Sequence, residues 1–402
     1  MIDMNKIRAH TILFTEDCPL DCRYCQLKLE EGYHKCPTES YDTIFELTQK
    51  YREEDLKDGV ETQFTFTGGE PFLYWDWIKQ IIEFYGNSCT YHFNTCGYCF
   101  TEDILEFLSH YVVFFTLSID GGEKLTNYLR PVRGTKYHTG YYKKIKEITP
   151  ILMYYFPNVD CKIIVNNRTV DLLYETYLNM EAIGFQRINF ILDFNTRPQV
   201  KGTKKEIQRV WEESDTKILE EQFELLLKEF LLRFSLNKTF ARVSNIDKVI
   251  QHLLLKPDSY SPDNLSCKVF NGRTLKTLYG EEPVKQEAGC FSQFFQTLDE
   301  AKDALLKEYE KCNGKCPLDP TCNAFFYCAN NNCPISSYEC TKTWFGSDTL
   351  ECILVKISYK TALQLLSIAN EICPDSSTYQ LFLNTFNYEG KEEYINGNLL
   401  SI

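Results

Sequence analysis

In the stretch EDCPLDCRYC, the thiols of Cys18, Cys22 and Cys25 recur at CxxxCxxC spacing. Thiolates hold soft and redox-active metals, and closely spaced cysteines on a loop are how a chain presents them. Three are one short of the four that close a structural zinc site or an ordinary iron–sulfur site. The only local candidates for a fourth ligand are His34 and Cys36, and neither stands at zinc-finger spacing. A metal with one position left open is suited to chemistry rather than to stapling a fold.

A second concentration of thiols follows Leu265: Cys267, Cys290, Cys312, Cys316, Cys322, Cys328, Cys333 and Cys340. So turn-rich a segment buries little apolar core, and inorganic clusters would supply its folding energy. A zinc-stapled knot is the alternative reading of the same spacing. The pair Cys96 and Cys99 reads as two ordinary thiols, while Cys161 and Cys352 read as small buried hydrophobes.

Alternating elements must position the first cysteine loop. HTILFT (10–15) is β-rich and leads straight into it. Residues 40–51 have helical spacing with Ser40 at the start, as an N-cap requires. Strands are expected at 62–67, 90–95, 112–120, 161–167 and 187–194, and helices at 75–85, 102–110, 140–149 and 170–183. Strands separated by helices of this length make a parallel sheet with covering helices. Six such strands suit a partial barrel better than a single nucleotide-binding half. Beyond Arg197, residues 202–256 read as one long or two medium helices. Residues 259–343 are turn-rich with little regular structure, and 359–372 is helical again.

The chain has 402 residues, is 44% hydrophobic and carries a formal net charge of −13. That length buries a sizeable core and suggests one large and one smaller domain. The acidic balance argues against a nucleic-acid partner, which a basic stripe would mark. Met1–His10 is polar, without the apolar segment of a signal peptide, and no apolar run is read as long enough to span a bilayer. A cytoplasmic chain without a membrane partner is therefore expected, and eighteen cysteines there point to metal or redox chemistry before disulfides.

With FTGGEP (Phe66–Pro71) one βα unit after the cysteine loop, and LSIDGGEKLTNYLR from Leu117, the first half resembles the radical SAM superfamily. The resemblance implies an α/β fold with a partial (β/α)6 TIM-like barrel. It implies that Cys18, Cys22 and Cys25 bind a [4Fe–4S] cluster whose fourth iron takes S-adenosylmethionine (SAM). One electron then releases a 5′-deoxyadenosyl radical, which abstracts hydrogen from a substrate. Tyr24 matches the aromatic position before the third cysteine. Gly68, Gly69, Glu70 and Pro71 match the segment that receives the methionyl amino group. Asn94 and Thr95 match residues near the adenosyl group, and Ser118, Asp120 and Arg130 or Arg133 match positions on the cofactor side. Asp120-Gly121-Gly122 also reads as a plain turn.

CNGKCPLDPTCNAFFYCANNNC resembles the SPASM module, which implies one or two auxiliary [4Fe–4S] clusters on the later cysteines. Its spacing departs from the module's at Cys312–Cys316 and at Cys322–Cys328, which leaves ligand assignment open. The resulting organisation is a barrel over 1–200, a helical bridge over 201–258, a loop-dominated SPASM-like domain over 259–345 and a helical tail over 346–402.

Such a resemblance implies a peptide maturase forming a thioether or carbon–carbon crosslink in a ribosomally made precursor, with a flavodoxin- or ferredoxin-type electron donor. A sulfatase-maturase-like oxidase making formylglycine is the second enzymatic reading, and a non-catalytic iron–sulfur electron carrier is the third. The cysteine loop begins by residue 18, so leader recognition is expected of 202–256, the tail or a separate protein.

Overall fold

The computed structural model describes residues 7–13, 15, 17–25, 40–134, 140–193, 211–236, 239–255, 272–276, 298–331, 342–345 and 349–373. Cys267, Cys290, Cys333 and Cys340 lie outside the described residues, as do His34 and Cys36. Two compact units divide the chain, the first from Met1–Trp211 with Arg273–Glu287 and Gly390–Ile402, the second from Glu212–Gly272 and Ala288–Glu389.

In the first unit, strands and helices alternate: β1 (Ile7–Leu13), α1 (Tyr41–Lys57), β2 (Glu61–Thr67), α2 (Trp75–Tyr85), β3 (Thr90–Thr95) and α3 (Glu102–Leu108). They continue as β4 (Val113–Ser118), α4 (Glu123–Leu129), α5 (Tyr141–Tyr155), β5 (Asp160–Val165), α6 (Leu173–Ile183) and β6 (Arg187–Leu192). Each strand from β1 to β6 pairs in parallel with the next. Another strand, Gly272–Lys276, lies beside β1. This order is the one expected of βα units laid down in sequence around a partial barrel.

Burial alternates strictly along β5 and β6. A flat parallel sheet covered on both faces would be apolar throughout. Here the helix-facing row, including Phe66, Phe93, Phe115, Cys161, Ile163, Ile188 and Phe190, is at most 2% exposed. The other row carries His92, Asn94, Thr116, Ser118, Lys162 and Asn189, all half-buried. Phe114, Ile164 and Ile191 share that row, which is therefore mixed rather than continuously apolar, as a barrel lumen allows.

The helix expected to stop at Thr149 runs on through Pro150 to Tyr155. Proline removes one backbone bond, normally a heavy cost inside a helix. Pro150 sits on the exposed side, so water can solvate the released carbonyl, while Ile145, Ile148 and Leu152 bury the opposite side.

Below the barrel, α1 sends the buried Asp55 under β1 and β2. His10 Nε2 lies 2.7 Å from Asp55 Oδ2, Thr62 Oγ1 donates to Oδ2 at 2.6 Å, and Arg8 Nη1 donates to Oδ1 at 2.8 Å. Burial alone would raise this carboxyl, but His10, Thr62 and Arg8 outweigh it and hold Asp55 below its ordinary value of 3.8. A depressed folded pKa contributes stability that is present above the unfolded value and is lost as pH falls through the folded one. Asp55→Asn is therefore expected to cost about 1.5–3 kcal/mol near neutrality. Its deficit should shrink as the medium is acidified, read by urea denaturation across the acid range.

The second unit begins with α7 (Glu213–Ser235), opened by a capping box in which the Glu212 amide donates to Asp215 Oδ2 at 2.8 Å. Together with α8 (Ser244–Leu255) it packs against the helix Thr349–Ile372. The 259–343 stretch holds more helix than its turn residues suggest: Leu298–Cys312 and Phe325–Asn331. Ala301 and Leu305, one turn apart and fully buried, are the period-four signal that marks the first.

A second correction concerns apolar length. Leu350–Ile372, with mean hydropathy 1.3, is long and apolar enough by length and composition alone to cross a membrane. Its Ile357, Ala362, Leu365 and Ala369 are buried, and it packs on α7 and α8 as a core helix would.

Candidate active site at the barrel's C-terminal end

All the sequence-assigned residues of the first half lie on loops or strand ends at the C-terminal side of β1–β4, where barrel enzymes build their sites. The cysteine loop is fastened on two sides. Toward α4, the Asp21 and Arg23 amides donate to the carbonyls of Pro131 at 2.7 Å and Leu129 at 2.9 Å, and the Arg133 amide donates to Pro19 at 2.8 Å. Arg133 also pairs with Asp17. Toward β2, the Gly69 amide donates to Thr15 and the Glu70 amide to Asp17, both at 2.8 Å. The turn that delivers these amides needs Gly68 at φ +124°, a backbone that a side chain would strain. GGEP thus has a structural job, clamping the cysteine loop, that the motif alone did not reveal.

Glu70 is fully buried. Its Oε1 accepts from Thr95 Oγ1 at 2.7 Å and from the Phe72 amide at 3.2 Å, and its Oε2 from the Cys96 amide at 2.8 Å. Burial raises its pKa against these donors. Pro71 opens the short 3-10 turn Pro71–Tyr74 that Glu70 caps. The carboxylate therefore joins the β2 and β3 loops. The Tyr141 hydroxyl lies within hydrogen-bond reach of the carbonyls of Cys96, at 2.8 Å, and Ser118, so its one proton is shared between them. Asn94 and Ser118 sit half-buried on the inner row of β3 and β4.

Asp120 and Arg130 form the electrostatic centre. Arg130 Nε donates to Asp120 Oδ2 at 2.7 Å and Nη2 donates to Oδ1 at 3.0 Å. Asp120 also accepts from Tyr24 and, at 3.1 Å, from the Ile164 amide. The third guanidinium nitrogen, Nη1, faces Cys22 Sγ at 4.0 Å. Burial works to lower the Arg130 pKa, but Asp120, Tyr24 and Cys22 outweigh it and raise it further. The residue carrying the motif's aromatic thus shares a carboxylate with the arginine that faces a motif cysteine.

Burial pushes the Cys22 thiol up to about 12, Arg130 opposes that rise, and Cys18 and Cys25 are close enough to add to it. Outside the motif, burial also raises Cys96, whose thiol hydrogen-bonds with Cys18, and lifts Cys99 to about 12. The three motif thiols share one field, which suits the all-thiolate donor set of an iron–sulfur cluster. Among the described residues no three Cys, His, Asp or Glu side chains are gathered as a ready-made metal site.

Residues 12–150 match the Radical SAM superfamily. No curated protein matches the sequence. Among solved structures, native anSMEcpe with bound AdoMet and Cp18Cys peptide superposes at TM-score 0.63 and 16% identity, over 91% of this chain and 99% of that one. The same protein with AdoMet and Kp18Cys peptide also gives 0.63 at 16% identity, over 91% of this chain and all of that one. Streptococcus suis SuiB bound to precursor peptide SuiA is more distant, at 0.49 and 12%, over 88% of this chain and 71% of that one. The fold shared with anSMEcpe thus extends well beyond the family-matched segment. The three-cysteine loop and the glycine clamp that holds it both lie within residues 12–150, the segment that matches the Radical SAM superfamily, and the parallel barrel that carries them is the fold shared with anSMEcpe.

Proposed function

We propose that the chain is a peptide maturase, cleaving SAM reductively and abstracting hydrogen from a ribosomally made peptide to form a thioether or carbon–carbon crosslink. The carrying observation is a thiol-bearing second unit. Cys312, Cys316 and Cys322 all border or join one core built on Ala301, Leu305 and Phe325. One or two auxiliary [4Fe–4S] clusters there would accept the second electron of an oxidative crosslink or bind a substrate thiolate. The peptides bound by anSMEcpe support a peptide substrate.

When bound, the cofactors supply the hydrogen abstraction; the chain orients and shields them. Cys18, Cys22 and Cys25 would hold the cluster, and Arg130 sets a positive charge beside Cys22. The GGEP turn and Tyr24 would border SAM, and the polar row of Asn94, Thr116, Ser118, Lys162 and Asn189 offers donors and acceptors to a peptide backbone. A flavodoxin- or ferredoxin-type protein would supply the electron.

The second reading, oxidation of a protein Cys or Ser to formylglycine, is favoured by the anSMEcpe fold match, since that neighbour is a sulfatase maturase. Anaerobically reconstituted enzyme with SAM, reductant and a candidate peptide separates the readings. 5′-Deoxyadenosine with a peptide that loses two hydrogens supports crosslinking, a free thiol being lost with them for a thioether and kept for a carbon–carbon bond. An aldehyde-reactive product supports the second reading, and no 5′-deoxyadenosine under any condition would sink both.

A further inference from the structure

Two threonines on neighbouring strands of the barrel keep their hydroxyls away from water and give them no hydrogen-bond partner. Thr11 Oγ1 on β1 and Thr65 Oγ1 on β2 are both orphaned, on residues 5% and 1% exposed. Burying a hydroxyl unpaired costs free energy, and most buried polar groups find a partner. We propose that Thr11 and Thr65, with His92 beside them, form a subsite that receives a neutral hydrogen-bonding side chain, a hydroxyl or a carboxamide, of the peptide substrate. This rests on the peptide reading above and adds the chemistry that the peptide carries beside its reacting residue.

The sheet register gathers the three residues. Thr11 pairs with Thr65, and Thr65 with His92, so they stand abreast on β1, β2 and β3. Adjacent strands lie about 5 Å apart, close enough for one side-chain group to bridge two of them. On β1 and β2 the alternate residues face the helices: Arg8, His10 and Thr62 reach Asp55 of α1, and Phe64 packs on Tyr85 of α2. Thr11 and Thr65 have the opposite parity and face the lumen. His92 shares the lumen row with Asn94, and its Nε2 lies 2.9 Å from Thr116 Oγ1.

The depth of this row suits a substrate side chain. Thr65 precedes Gly68 by three residues, which sets it roughly 10 Å down the strand from the turn that clamps the cysteine loop. A peptide whose reacting residue faces that loop brings a neighbouring side chain to this level. The lining sets the charge of the occupant. Ala9, Gln63, Thr67 and Asn94, the adjoining lumen-side residues of β1–β3, are neutral, while Asp160 and Arg187, on β5 and β6, pair with each other at 2.9 Å. A charge brought among them would be stripped of water with no counter-ion supplied by these residues. Hydroxyls both donate and accept, which matches a hydroxyl or a carboxamide. Until substrate arrives, water can bridge the two threonines, and a group that reproduces its hydrogen bonds displaces it without loss of affinity.

The test uses the full reconstituted chain with Thr11→Val or Thr65→Val. Valine keeps the shape and removes only the orphaned hydroxyl, so urea denaturation of each free variant should show stability equal to or above the parent's. A loss of stability would mean that the fold itself uses the hydroxyl, and would overturn the proposal. The probe is a set of synthetic peptides with one central cysteine, its neighbours on either side varied in turn among Thr, Val, Asn, Leu and Asp, with SAM and reductant. The parent should favour Thr over Val, or Asn over Leu, at one position by about tenfold in peptide kcat/KM. Thr65→Val should bring that ratio close to one, chiefly through KM. Peptide turnover with no such preference, with a preference for Asp, or with a preference that both variants retain would overturn the subsite and leave the peptide reading standing. A raised KM for SAM with peptide selectivity retained would assign the hydroxyls to SAM and overturn it likewise. No altered peptide anywhere in the set would overturn the peptide reading itself, and the subsite with it.

Discussion

Asp120→Ala is expected to abolish 5′-deoxyadenosine formation and to destabilise the first unit by about 3–5 kcal/mol, the cost of breaking a buried ion pair from one side. Four donors converge on this carboxylate: Arg130 Nε, Arg130 Nη2, the Tyr24 hydroxyl and the Ile164 amide. Asp120 is 1% and Arg130 5% exposed, so water does not replace what the substitution removes. The guanidinium would be left charged and unpaired beside Cys22, and it would be free to swing away from the thiol it faces at 4.0 Å. Tyr24, next in sequence to Cys25, would lose its tether at the same moment. Asp120→Asn keeps the shape and one acceptor and should fall between. Arg130→Ala added to Asp120→Ala should cost less than the sum of the two single losses, because both remove one pair. Urea denaturation, iron content and 5′-deoxyadenosine yield check the three consequences. Near-native stability with full SAM cleavage in Asp120→Ala would mean that the pair neither holds the loop nor serves the cluster.

The barrel was legible because each βα unit repeats a local signal. Hydrophobic alternation marks the strands, and α2 and β3 fall on the residues expected of them, with Ser40 capping α1 as read. Cys18, Cys22 and Cys25 stood out for the same reason, since their spacing is local. What sequence could not show was contact between segments far apart. Nothing near Glu70 announces that its carboxylate serves Thr95 and Cys96, and nothing near Tyr141 announces that it reaches two loop carbonyls. Pro150 shows the opposite failure, a strong local signal overruled by the buried face of the helix that carries it.

Gly121 turns the Asp120-Gly121-Gly122 stretch, readable as a plain turn, into a requirement of the site. Its φ is +126°, which L side chains rarely adopt, and a Cβ there would stand 2.8 Å from Thr176 Oγ1 and 3.2 Å from Thr176 Cγ2. Its carbonyl also accepts from Thr126 Oγ1 at 2.7 Å, which fixes the start of α4, the helix that leads to Arg130. Gly121→Ala should therefore cost about 1–2 kcal/mol for the backbone and a further 1–3 kcal/mol for overpacking against α6. Relief by backbone movement would shift Asp120, one residue away, so SAM cleavage should fall with stability. The two costs separate in a double-mutant cycle. Thr176→Ala removes the two nearest atoms that the new Cβ meets and leaves Leu125 Cδ2 at 3.3 Å, so Gly121→Ala with Thr176→Ala should recover most of the packing part and leave the backbone part. Recovery of neither would show that the strain resides wholly in the chain's path. Full recovery of both stability and SAM cleavage would show that φ +126° is incidental and that Gly121 serves only to admit Thr176.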